Sequence, residues 1–126
     1  MRKQIFTGTP WEEVVGYCRA IRVGNTIEVS GTTAMDGDKL VGKDHIYEQT
    51  AFIFKKIEAA LTQLDASMKD VVRTRMYVTD ISQWQQVAKA HAEVFKDIKP
   101  VTSMVEVSKL ISPDLLIEIE VTAIIQ

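Results

Sequence analysis

Lys99-Pro100-Val101-Thr102-Ser103-Met104-Val105-Glu106-Val107, answered by Ile117-Glu118-Ile119-Glu120-Val121 near the C-terminus, alternates acids and hydroxyls with branched apolar residues. A period of two marks half-buried strands, in which successive side chains point to opposite faces of a sheet. The two segments are therefore expected to pair as a hairpin. Thr102, Met104 and Glu106 would share one face, and Glu118 would point the same way as Glu120. Two such strands can gather hydroxyls and a carboxylate into a groove. The same alternation also describes acids that merely wet the solvent side of an antiparallel sheet, and the pattern does not separate the two readings for Glu106, Glu118 and Glu120.

Working outward, Pro100 marks the entry to a strand. Before it, Ser82 to Lys96 carries Trp84, Val87, Ala88, His91, Val94 and Phe95 at helical spacing, with Asp80 or Ser82 available to cap the first turn. Val71 to Thr79 reads as a strand with Val72, Thr74, Met76 and Val78 on one face and Arg73, Arg75 and Tyr77 on the other. Ser67-Met68-Lys69-Asp70 has a capping-box pattern suited to a single turn. From Ile46 to Leu64 the apolar residues Ile53, Phe54, Ile57, Ala60, Leu61 and Leu64 recur every three or four positions, with Glu48, Lys55, Lys56, Glu58 and Gln63 between them. That spacing predicts an amphipathic helix. Residues 35–43, with two glycines and two aspartates, suit a surface loop. Tyr17 to Val23 and Thr26 to Thr33 are rich in β-branched residues and flank Gly24-Asn25, a dipeptide fit for a tight hairpin turn.

The resulting order is β-β-α-β-α-β-β, an α+β sandwich in which two helices cover one face of a mixed sheet. The other face needs a partner, because branched apolar residues fall at odd and even positions of the last two strands, as with Ile119 and Ile124. Self-association through that face is expected, with any cleft lying between neighbouring subunits.

Composition excludes several classes of function. The chain has 126 residues, the size of one domain spanning 1–126, with no linker or repeat to divide it. No apolar run approaches the roughly 20 residues that span a bilayer. Nothing after Met1-Arg2-Lys3 has the length of a signal peptide's apolar segment, so a cytoplasmic protein is expected. Fifteen basic residues against 17 acidic ones give a net charge of -2 without a Lys/Arg block, which makes nucleic acid a poor partner. The single cysteine, Cys18, cannot form an intrachain disulfide and has no neighbouring metal ligand in sequence, so a buried free thiol is expected. His91 lies on an apolar helical stripe, as a hydrogen-bonded core histidine would, and His45 sits at a helix entrance.

Over nearly its whole length the chain resembles the RidA family of reactive-intermediate deaminases, also called the YjgF family. The resemblance rests on Tyr17 before the first hairpin, on Val23-Gly24-Asn25 followed by Val29-Ser30-Gly31, and on Val78-Thr79-Asp80-Ile81 followed by Trp84. Val105-Glu106-Val107 and Ile117-Glu118-Ile119-Glu120 complete it. Their order and spacing together, not any one of them, carry the match. It implies a chorismate-mutase-like subunit, a homotrimer, and clefts between subunits where small 2-imino or 2-enamino acids are hydrolysed to 2-keto acids and ammonia without metal or cofactor.

The resemblance also implies roles for residues. Tyr17, Ser30 and Gly31 would line the ligand, and Glu118 would match the family's water-orienting or proton-moving glutamate. The family anchors the substrate carboxylate with an arginine in a Pro-x-Arg-Ser/Thr pattern, and here Pro100-Val101-Thr102-Ser103 places Thr102 at that position. Met104 stands where a cysteine is frequent, and Ala88 where an asparagine is. A hydroxyl supplies no charge, so affinity for an anionic imino acid should suffer and substrate selectivity should change. Arg19, Arg22, Arg73 and Arg75 lie on predicted strands, and any of them reaching the cleft from a neighbouring subunit would restore the charge. Three functions stay open at this point: hydrolysis of imines or enamines, a non-catalytic trimer that binds a metabolite or a protein, and the endoribonuclease or translation-inhibitor activity also attached to the family. The acidic balance argues against the last.

Overall fold

Strand β8 (Ile117–Ile124) runs through the middle of a six-stranded sheet, and everything else is arranged around it. The computed structural model describes residues 1–126. In chain order the elements are β1 (Arg2–Ile5), α1 (Pro10–Val15), β2 (Ala20–Val23), β3 (Thr26–Thr32), a small hairpin of β4 (Met35–Asp36) and β5 (Lys39–Leu40), α2 (Ile46–Gln63), β6 (Val71–Val78), α3 (Trp84–Phe95), β7 (Val101–Glu106) and β8. The sheet order is β1-β2-β3-β8-β6-β7, antiparallel everywhere except between β6 and β7. The α+β architecture and the mixed sheet agree with the sequence reading.

Local chemistry accounts for the main elements. The apolar stripe of α2 buries Ile46, Ile53, Phe54, Ile57, Ala60 and Leu61, and α3 adds Val87, Ala90 and Phe95. Phe54 meets both Phe95 and His91 edge-on, with ring centroids 5.3 and 5.7 Å apart. Facing them, β8 turns Ile117, Ile119, Val121 and Ala123 into the core and Glu118, Glu120 and Thr122 away from it. Gln49 is fully buried because its amide is spent on the backbone: it donates to the carbonyls of Gly42 and Asp114 and accepts from the amide of Leu116. That side chain ties α2 to the segment that delivers β8. At the β2–β3 turn Gly24 takes a φ of 60°, which a side chain would resist. Asp80 caps the 3-10 turn that leads into α3 by accepting from the amide of Ser82.

The expected pairing of the two last strands is not what forms. β7 follows β6 through a helical crossover and so runs parallel to it at the free edge, while β8 fills the slot between β3 and β6. Two short elements, β1 and α1, were also not expected. α1 opens with Pro10 in its first turn and stops at Gly16 in the left-handed region, and buried Glu12 holds its approach by accepting from the amides of Thr7 and Gly8. Residues 35–43 contain the β4–β5 hairpin where a loop was expected. In β6 a bulge between Val71 and Arg73 buries Val71 in place of Val72.

The uncovered sheet face mixes charged and branched apolar residues, as the alternation in the last two strands led one to expect. It carries Glu118, Glu120, Thr122, Arg73, Arg75 and Tyr77 together with Ile21, Val23, Val101, Val105 and Ile124, while the other apolar members of β8 point to the helices. Large apolar side chains are exposed on and beside α1 (Phe6, Trp11, Val14 and Val15) as well as at the sheet edge (Val101 and Val105) and at the start of α3 (Trp84).

Candidate functional site

A β-bulge in β3 builds the most chemically equipped corner of the chain. Val29 opposes Val121 and Thr32 opposes Ile119, so Ser30 and Gly31 together face the one residue between, Glu120. Bulges bend a strand and re-aim its side chains. Here the bend brings Gly31 under the side chain of Glu118, so close that a Cβ at position 31 would collide with the carboxylate. Ser30 fixes the corner from behind, its Oγ donating to the carbonyl of Cys18 at 2.7 Å and its amide donating to the carbonyl of Arg19 at 2.9 Å.

Glu118 is half-buried, and burial pushes its carboxyl above the usual carboxylate range, helped by repulsion from Glu120 and opposed by Arg19. Its neighbour is treated differently. Glu120 accepts from the hydroxyl of Tyr77 at 3.1 Å and stands 3.8 Å from Nη1 of Arg75. Two adjacent acids on one face thus differ in their contacts, Glu120 having a hydroxyl donor and a cation and Glu118 neither.

The six predicted site residues fall into two groups. Tyr17, Ser30, Gly31 and Glu118 gather at the bulge, with Tyr17 linked through Arg19, whose guanidinium carbon lies 5.7 Å from the Tyr17 ring centroid. Thr102 and Met104 do not join them. Thr102 pairs with Thr74 and Met104 with Met76, so both point to the helix side of edge strand β7, whereas Glu118 pairs with Tyr77 on the opposite face. Within one chain the two groups are separated by strand β6 and by the thickness of the sheet.

The family model described as "Endoribonuclease L-PSP" matches residues 9–125. A crystal structure of Rv2704 from Mycobacterium tuberculosis, a member of the YjgF/YER057c/UK114 family, superposes with a TM-score of 0.91 at 47% identity, covering 99% of this chain and 100% of that one. The chain belongs to the RidA/YjgF family. A RutC family protein of Pyrococcus abyssi is 35% identical over 97% of this chain and 96% of its own length. The 3-aminoacrylate deaminase RutC of Acinetobacter baylyi is 29% identical over 89% and 88%.

In this RidA/YjgF protein the edge strand carries its own hydrogen-bonded line. Thr102 Oγ1 lies 2.6 Å from Thr74 Oγ1, which lies 2.9 Å from Nε2 of His91. Thr74 is fully buried, and Thr102 is exposed. His91 is half-buried between Phe54 and Phe95, and burial pushes its pKa down, so the ring is neutral at pH 7. The folded chain then binds fewer protons at His91 than the unfolded chain does once the pH drops below about 6.5. Stability from this group is complete above that pH and declines as the pH falls from there toward the folded value. Denaturant midpoints measured from pH 7.5 to 5.5 should therefore decline, and His91→Gln should flatten that decline; an unchanged slope in the variant would assign it elsewhere.

Two cations sit differently from what the sequence led one to expect. Arg19 was expected to act, if at all, from a neighbouring subunit, but its Nη1 sits in the bulge of its own chain. Lys56 was placed on the solvent side of α2, yet its ammonium is half-buried and donates to the carbonyls of Thr33 and Met35, both at 2.8 Å. Position in a helical repeat hides such a residue, because a long stem can carry its charge back over the sheet end. Arg75 is engaged with Glu120. Cys18 is half-buried, against the expectation of a buried thiol, because the chain there is still approaching β2 and its backbone carbonyl is bound by Ser30. His45 stands exposed before α2 and makes no side-chain cap. No helix is long and apolar enough to cross a membrane.

Proposed function

We propose that the protein is a RidA-like homotrimer whose clefts between subunits hydrolyse small imines or enamines to carbonyl compounds and ammonia, with Glu118 moving the proton. The observation that carries this reading is the carboxylate of Glu118, half-buried, without a hydrogen-bond donor and laid over Gly31. Hydrolysis of a C=N bond adds water to carbon and a proton to nitrogen, then expels ammonia as the C=O bond forms. A carboxylate whose pKa is raised above the usual range is a stronger base than an ordinary one, and can take the proton from water and return it to the departing nitrogen. An enamine first takes a proton on carbon and becomes the same imine. The name of the Acinetobacter baylyi relative, a 3-aminoacrylate deaminase, lends support from an enamine substrate.

The split of the site supports this assembly. Thr102 and Met104 can meet Gly31 and Glu118 only if the edge strand of one subunit lies across the sheet of the next. Exposed Val101 and Val105 on that edge favour such a contact, since an open strand edge with apolar side chains seeks a partner. Thr102 then offers a hydroxyl where arginine-bearing members of the family offer a charge, which changes the selectivity of the cleft. The same substitution favours a second reading, a metabolite-binding trimer without turnover. Endoribonuclease activity, present in the family model's description, draws no support from a chain of net charge -2.

Ammonia release from freshly generated imines and enamines, followed by a coupled assay, tests the first reading against the second. Sedimentation equilibrium tests the trimer, and a stable monomer at micromolar concentration would remove the shared cleft.

A further inference from the structure

Arg19 is a half-buried cation with no anionic partner. Its Nη1 donates to the carbonyl of Gly31 and to Oγ1 of Thr32, both at 2.9 Å, with the Ser30 carbonyl at 3.5 Å. Those acceptors take up both hydrogens of that nitrogen. Nε and Nη2, the other edge of the fork, make no hydrogen bond in the chain, and the one ion pair of the molecule within 4.0 Å is elsewhere, between Arg75 and Glu120. Charges taken out of water are ordinarily paired. Lys56 adds a second cation close enough to sense the first: burial, then Arg19, hold the Lys56 ammonium below its usual range against the opposing effect of Asp36. Nearby acids do not supply the missing contact. Glu12 is occupied by Thr7 and Gly8, and Glu118 senses Arg19 without bonding it.

We propose that the free Nε–Nη2 edge of Arg19 binds the carboxylate of the ligand, so that this cleft reads an acid group from the bulge side rather than from position 102. The three acceptors on Nη1 hold the guanidinium plane, and the Tyr17 ring beside it limits its swing. A planar fork held in this way presents two parallel N–H donors, the geometry a carboxylate matches. The ligand class is a small 2-imino or 2-enamino acid, or the 2-keto acid formed from it, placed with its acid group on Arg19 and its reacting carbon toward Glu118. This rests on the proposed function only for the identity of the reacting carbon; anion binding stands apart from turnover.

The test is equilibrium binding of pyruvate and of its neutral methyl ester, by calorimetry or ligand-observed NMR at pH 7.5, to the parent protein, Arg19→Gln and Glu118→Gln. Loss of a charged two-bond contact is expected to weaken pyruvate by roughly ten- to a hundredfold in Arg19→Gln, while the ester changes less than twofold. If Arg19 only braces the bulge, pyruvate and ester weaken together, and that result overturns the proposal, as does parent protein that binds pyruvate no better than the ester. Should Arg19→Gln fail to fold, Glu118→Gln decides: removing the nearby negative charge is expected to tighten pyruvate several-fold, and unchanged affinity overturns the proposal. Pyruvate held by Arg19 in a protein that releases no ammonia from any imine would leave the anchor standing and remove the proposed hydrolysis.

Discussion

Glu118→Gln is expected to lower imine or enamine hydrolysis by about 10²- to 10⁴-fold, the usual contribution of a positioned acid or base. The amide keeps the size and shape of the carboxylate but cannot take up or release a proton in the working pH range. Assembly should survive, because the Glu118 side chain makes no hydrogen bond that holds the sheet together and its strand is fixed by Ile117 and Ile119 on the other face. Stability should even rise slightly. Burial and Glu120 raise the Glu118 carboxyl above its unfolded value, so the folded chain carries a penalty for ionising it that is absent at low pH and complete once the pH exceeds the raised value. At pH 7 the variant, free of that penalty, should melt no lower than the parent. The parent's pH–rate profile should contain a limb at the raised carboxyl value that the variant lacks. Parent-like turnover in Glu118→Gln would end the assignment of that role. Glu120→Gln makes a useful contrast, since its carboxylate is already committed to Tyr77 and Arg75 and should serve turnover only through its effect on Glu118.

How far the chain could be read in advance depended on whether a feature is local. The α2 stripe from Ile46 to Leu61, the Gly24-Asn25 turn and the in-out alternation of Ile117 to Ala123 are set by neighbours four or fewer steps apart, or by backbone sterics, and each took the form expected. Alternation also says which residues of a strand share a face. It does not say which strand lies alongside. Thr102 and Glu118 were expected in one groove because their strands were expected to pair directly, but β6 intervenes, and the register through Thr74 and Tyr77 puts them on opposite faces. The bulge at Ser30 and Gly31 was equally hidden, since nothing in Val29-Ser30-Gly31-Thr32 says that two residues will oppose one. Because the bulge was invisible, so was the nest of acceptors that receives Arg19. Local sequence thus recovered the scaffold, the family resemblance singled out Tyr17, Ser30, Gly31 and Glu118, and the seat of Arg19 within its own chain emerged only with the long-range pairing.

Gly31→Ala is expected to lower turnover by about a hundredfold while changing stability by less than about 1 kcal/mol. Gly31 is not in the left-handed region, so its backbone accepts alanine without strain, and what the position requires is space. The added methyl would collide with the carboxylate of Glu118 and crowd its Cδ and Cγ. Because the obstructed atoms are the far end of a flexible side chain, the collision is relieved by rotation and not by movement of the sheet. The carboxylate survives but leaves its place, and a displacement near 1 Å at a reacting group is enough to cost about two orders of magnitude in rate. Position and chemistry can be told apart by combining the changes. If Gly31 matters only through Glu118, then Gly31→Ala added to Glu118→Gln should cost little more than Glu118→Gln alone, as residues acting through one contact are not additive. Full additivity would mean that residue 31 touches the substrate by another route, through its own backbone or through the Arg19 fork that its carbonyl holds. The binding data for pyruvate separate those two routes, since a disturbed fork weakens the acid but not its ester.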